Sequence, residues 1–161
     1  MQGVAERARL VGPLFCRADN ELLEAVALLH DVGYSPSIVK TGFHPLDGAI
    51  YLRDAGAEPR LCALVAHHSC AYREAELRGF STDLAEWLDE KTSLRDALWW
   101  ADMTTSPNGI AVSFEERIRE IEERYGSLNL VTTFIRQAES ELREAVNRTE
   151  ARLRAAGAFY E

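Results

Sequence analysis

A chain of 161 residues with 47% apolar content can bury a sizeable core, and it contains no apolar run of about 18 residues that could cross a bilayer. With 26 acidic against 18 basic residues, a formal net charge of -8 and no basic block, nucleic acid is a poor partner, while a small ligand held by a local cation stays open. Cys16, Cys62 and Cys70 are odd in number without metal-type spacing, and the opening MQGVAERARLVGPLF lacks the layout of a secretory signal, so a reducing, cytoplasmic setting is expected.

The spacing predicts helix after helix. Val4 to Val11 is a short helical stretch closed by Gly12-Pro13. Asp19 or Asn20 caps the next, which runs to Asp31 and ends at Gly33. Tyr34 to Phe43 reads as a loop, Pro45 suits the first turn of a third helix ending near Gly56, and Pro59 opens a fourth that reaches His67 and His68. Ser81, Thr82 or Asp83 starts a helix through Trp87 and Leu88. Ser93 with Asp96 and Ser113 with Glu116 form two capping boxes, the second opening a helix that stops at Gly126. On that helix, Glu115/Arg119 and Glu120/Arg124 stand at the i, i+4 spacing of a solvated face. A long last helix runs from about Val131 to Gly157. No stretch alternates as a strand does, so the fold class is all-α: one domain over 1–161, with a helical core over about 1–110 and extra C-terminal helices over about 111–161.

Chemistry is expected where polar residues land on apolar helix faces. Leu22, Leu23, Val26 and Leu29 form a stripe, and in LLHDVGY His30 falls on it beside Asp31. Leu61, Leu64 and Val65 form another, which His68 continues and His67 flanks; Leu94, Leu98 and Ala101 form a third, with Asp102 one turn after Leu98. His44, before Pro45, is expected to be extended at the mouth of a helix. One inward histidine is ordinarily a hydrogen-bonded core residue, and one inward aspartate a cap or arginine partner. Here all four histidines fall between 30 and 68 in company with two inward aspartates, a donor set that suits one or two first-row divalent ions sharing a carboxylate. Cys70 close by reads as a small packed residue rather than a reactive thiol, and of Trp99 and Trp100 one ring is expected in the core and the other over a neighbouring helix.

The order His-Asp, then His-Pro-Leu-Asp-Gly-Ala, then His-His, then a distant Asp resembles the HD-domain superfamily of metal-dependent phosphohydrolases, over about residues 1 to 105. The resemblance implies that His30 and Asp31 are paired ligands with Asp31 bridging two ions, that Asp102 holds the first ion, and that His44 and His68 hold the second. It makes His30, Asp31 and His67 the catalytic group, with His67 a further metal ligand or a contact to substrate phosphate. The cofactor it implies is one or two divalent ions drawn from iron, manganese, magnesium, cobalt, nickel or zinc. The activity it implies is attack of a metal-bound hydroxide on a nucleotide or other small phosphorylated metabolite.

Two departures stand out. The family signature begins with a histidine on the first helix; similar proteins follow it with a stretch like QGVAERAR, which starts here at Gln2, so that ligand is expected just before Met1 in a chain that starts late. Where many such enzymes read HDxGK, Tyr34 replaces the phosphate-facing lysine, leaving Lys40, Arg53, Arg73 or Arg78 to supply the charge, with Lys40 and Arg73 the substrate-contact candidates. That loss also suits an HD-fold di-iron oxygenase, and the absent histidine suits a binding or regulatory module with a decayed site. The segment after about residue 113 is read as a lid, a packing helix or a homodimer contact, with neither membrane nor nucleic acid as partner.

Overall fold

Apolar residues at helical spacing carry the chain through nine helices among the described residues, 1–158, of a computed structural model: α1 (Gln2–Arg9), α2 (Arg17–Leu29), α3 (His44–Asp54), α4 (Pro59–Ala66), α5 (Ala71–Arg78), α6 (Ser81–Leu84), α7 (Ser93–Met103), α8 (Phe114–Tyr125) and α9 (Leu130–Ala155). The molecule is all-α, 70% helical and without a strand among those residues. Residues 159–161 of the anticipated C-terminal extension lie outside them. No helix of the described residues is long and apolar enough to cross a membrane.

Helix α7 is the centre of the packing. Leu94, Ala97, Leu98, Trp99, Trp100, Ala101 and Met103 are all buried, and α1, α2 and α9 lie against it. Both indoles are inside, so neither is free to stack on a ligand: Trp99 Nε1 donates to the His67 carbonyl at 3.0 Å, and the Arg7 guanidinium lies 4.4 Å from the Trp100 ring centre. Burying a large aromatic ring removes roughly 150–250 Å² from water, about 4–6 kcal/mol each at the usual transfer coefficient. The C-terminal helices belong to the same apolar cluster, through Phe114, Ile118 and Ile121 of α8 and Leu142, Ala145, Val146 and Leu153 of α9.

Several boundaries differ from the sequence expectation, each for a local reason. Helix α2 begins two to three residues before Asp19 and Asn20, capped by Cys16; the Asp19 carboxylate accepts instead from Arg60 at 2.6 Å. Thr92, not Ser93, caps α7, and the Asp96 carboxylate is drawn away from the cap by Arg148, 2.7 and 3.0 Å away. The Ser113–Glu116 capping box is present on α8 with both of its hydrogen bonds. Helix α6 stops at Leu84, short of Trp87. Helix α5 has no counterpart in the sequence reading, because α4 ends at Ala66 and the chain makes a sharp turn before helix resumes.

Candidate metal centre

Three short stretches of backbone aim the polar residues. His30 is the residue that ends α2, and the 3₁₀ turn Val32–Tyr34 follows Asp31 directly. Gly33 lets that turn meet the start of α3: a Cβ there would stand 2.0 Å from the His44 carbonyl oxygen. His44 is the first residue of α3 rather than an extended residue ahead of it, with Pro45 in the first turn. The buried Asp47 carboxylate fastens the preceding loop to the same helix, accepting from the N–H groups of Lys40, Thr41 and Gly42 at 3.0–3.1 Å and from the Thr41 hydroxyl at 2.9 Å. Asp47 was not singled out from the sequence, although an acid in the first turn of a helix was visible there.

His68 arrives by an irregular route. After α4, Ser69 (φ 45°) and Cys70 (φ 58°) both take the left-handed conformation, which side chains other than glycine adopt at a cost of about 1–3 kcal/mol. The turn directs Ser69 Oγ to donate to Asp102 Oδ2 at 2.5 Å, leaving Oδ1 of Asp102 toward His30. Cys70 is fully buried as a packed residue, and burial pushes its thiol well above the usual range, which disfavours the thiolate.

His30, Asp31, His44, His68 and Asp102 converge. His30 Nε2 lies 3.4 Å from Asp31 Oδ2 and 3.5 Å from Asp102 Oδ1; Asp31 Oδ1 lies 3.4 Å from His44 Nε2 and 3.8 Å from His68 Nε2; the two histidine Nε2 atoms are 3.1 Å apart. Asp31 thus turns one oxygen to each half of the cluster. His30 Nδ1 faces the Ala27 carbonyl at 2.8 Å and His68 Nδ1 the Val65 carbonyl at 2.6 Å. Donation to those carbonyls fixes the tautomer that leaves the Nε2 lone pairs pointing inward, the arrangement typical of metal-bound imidazole.

The residues fit divalent ions. Two ligand atoms each about 2.0–2.2 Å from one ion stand roughly 3–4 Å apart, the range of the separations above among Nε2 and carboxylate oxygen atoms. Buried Nε2 of His30 has no hydrogen-bond partner, and Asp31, His44 and His68 bring ligand atoms within 4.8 Å of one another.

His67, Lys40 and Arg73 are corrections to the sequence expectation. The His67 Nε2 meets the Trp87 carbonyl at 2.8 Å instead of the cluster, and the chain leaves helical geometry at that residue. Lys40 is exposed and outside the cleft over the cluster, and Arg73 is fastened to Glu141 at 2.6 Å. Arg124, which the sequence reading left on a solvated face, lines that cleft together with Arg117, which it did not single out. Glu115 pairs with Arg143 across to α9, whereas Glu120 and Arg124 do pair, at 2.5 Å.

The electrostatics divide the histidines. Burial opposes charge on His30, but Asp102 and then Asp31 outweigh it and push its pKa up to about 10. Burial, reinforced by His44 and His30, pushes His68 down to about 4. Burial also opposes charge on both carboxylates, yet the histidines hold Asp31 and Asp102 well below the usual carboxylate range. Near neutral pH His30 therefore carries a second proton, which would have to leave for its Nε2 to bind an ion, while His68 is already a free base. Metal binding at pH 7.5 is expected to release about one proton, falling toward zero above pH 10, as read by calorimetry in buffers of different ionisation heat. No release at pH 7.5 would remove His30 from the ligand set.

The sequence pattern that defines the HD domain matches residues 1–103, which contain all five converging residues. No curated protein and no solved structure matches the chain significantly. A match over this much of the chain, joined to the cluster that closes around the His30-Asp31 pair, makes the protein a member of the HD-domain superfamily.

Proposed function

We propose that this protein hydrolyses the phosphate ester of a small phosphorylated metabolite or nucleotide with divalent ions held in the cluster. The superfamily is one of metal-dependent phosphohydrolases, and the carrying observation is the inward set of Nε2 lone pairs flanking a carboxylate that faces both halves of the site. In this reading His30, Asp31 and Asp102 hold one ion and Asp31, His44 and His68 the other. Divalent ions there supply Lewis acidity toward a phosphoryl oxygen and acidify a water.

The chain's own residues do the rest. Ser69 fixes the rotation of the Asp102 carboxylate, and the Ala27 and Val65 carbonyls fix the rings of His30 and His68. Tyr34, at the position of the lysine in related signatures, stacks on His44 with ring centres 3.9 Å apart and holds that imidazole. His67 acts in this reading as a support for the turn, through Trp87 and, by its carbonyl, Trp99.

The test is metal analysis of untagged protein together with hydrolysis of a panel of phosphate esters under each divalent ion. Chelation should abolish turnover and re-addition restore it. Absence of hydrolysis with every ion would sink the reading, and turnover that needs ferrous iron and dioxygen would replace it with oxygenase chemistry.

A further inference from the structure

The cleft over the cluster has a volume of about 410 Å³, and much of its wall comes from beyond residue 103. Helix α8 turns Arg117 and Arg124 into it. The Arg117 side chain is only 15% exposed, its Nε is buried without a hydrogen-bond partner, and its charge is felt by Asp102. Glu120 pairs with both guanidinium groups, so two cations share one carboxylate and a positive charge is left over. The two guanidinium groups stand in a cleft wall that also carries the carboxylates of Asp31, Glu74 and Asp102, in a chain whose net charge is -8. A guanidinium with an N–H left without an acceptor is under-satisfied, and an anion entering the cleft would offer acceptors to the Arg117 and Arg124 side chains that line it. The remaining wall is apolar, formed by Ile121, Phe134 and Ile135 with Tyr125 beside them.

We propose that Arg117 and Arg124 are the anion-binding residues of the cleft, taking phosphoryl oxygens of a phosphate monoester whose small apolar or aromatic organic group rests on Ile121, Phe134 and Ile135. The inference rests on the hydrolase reading for the reaction, but the anion site stands on its own geometry. A volume near the lower end of the usual 300–1,000 Å³ for ligand pockets suits a compact ester rather than a polymer. A monoester also brings more negative charge to the paired guanidinium groups and ions than a diester does.

The experiment compares the metal-loaded wild type with Arg117→Gln, Arg117→Lys and Arg124→Gln. Orthophosphate binding is read by calorimetry, KM and kcat with phenyl phosphate and glycerol 2-phosphate, and folding by thermal melting. Arg117→Gln should weaken orthophosphate binding and raise KM by roughly 10- to 100-fold at unchanged melting temperature, with Arg117→Lys recovering part of the loss. Wild type should prefer phenyl phosphate. Orthophosphate affinity within about twofold of wild type in both glutamine variants would overturn the anion site. Preference for glycerol 2-phosphate would overturn the apolar subsite. If no ester is hydrolysed but Arg117→Gln still loses orthophosphate, the reaction assigned above fails and the anion site stands.

Discussion

Asp31→Ala is expected to abolish the proposed ion binding and turnover while leaving the protein folded. The carboxylate is the one group that touches both halves of the cluster, with Oδ2 toward His30 and Oδ1 toward His44 and His68. On the proposed two-ion reading, its removal would leave each ion short of a ligand and withdraw the negative charge that offsets their mutual repulsion. The loss should therefore exceed the roughly 10- to 100-fold that follows loss of an outer partner of a metal ligand. The fold has less at stake, because the Asp31 side chain is 37% exposed and fills no part of the apolar core. Asp31→Asn, which keeps the shape without the charge, should behave alike. Elemental analysis after dialysis, alongside a circular-dichroism melt, separates these effects. Retention of both ions by Asp31→Ala would show that the bridge is not what holds them.

The second large effect falls on a residue without a side chain. In Gly33→Ala the new methyl group would stand 2.0 Å from the His44 carbonyl oxygen and 2.7 Å from the Gly48 amide nitrogen, both backbone atoms. No rotamer change relieves such an overlap, so α3 has to move away from the turn after Asp31. A loss of about 3 kcal/mol or more is expected, since overpacking that side chains can absorb already costs about 1–3 kcal/mol. The same shift carries His44 away from Asp31. Metal binding should thus fall even at temperatures where the variant stays folded, and more in the half shared by His44 and His68 than in the half of His30 and Asp102. Gly48→Ala is the graded control: its contacts of 3.2–3.3 Å ask neighbours to yield only a few tenths of an ångström. Denaturant melts with titration of a divalent ion would measure both. Equal stability of Gly33→Ala and wild type would contradict the close approach.

The sequence made parts of this site legible because helix periodicity is local. His30 and Asp102 could be placed inward from Leu23, Val26 and Leu98 alone, and both are mostly or wholly buried beside each other. His68 was reached by extending the α4 stripe, the right residue through the wrong geometry, since the helix ends at Ala66. Serine and cysteine carry no compositional sign of left-handed backbone, so the turn at Ser69 and Cys70, and the helix after it, could not be read. The cap of α7 was misplaced because Asp96 is claimed by Arg148, 52 residues away. Arg124 reads as solvated, and Arg117 goes unremarked, for a related reason. A charged stripe on α8 has the same pattern whether it faces water or a cleft, and the other wall of the cleft lies on distant elements.

Helix α9 has a consequence for how such a protein could change its substrate. Val131, Phe134 and Ile135 in its opening turns face the cleft, whereas Leu142, Ala145, Val146 and Leu153 further along are packed in the core, most closely with α7. Selectivity and cohesion are written on consecutive turns of one rod. An exchange at Val131, half-buried at the rim, can reshape the ligand space with little structural penalty, whereas exchanges at Phe134 and Ile135 act on both properties at once. On the proposed reading, substrate range can therefore drift through the first turn of α9 while His30, Asp31, His44, His68 and Asp102 stay as they are.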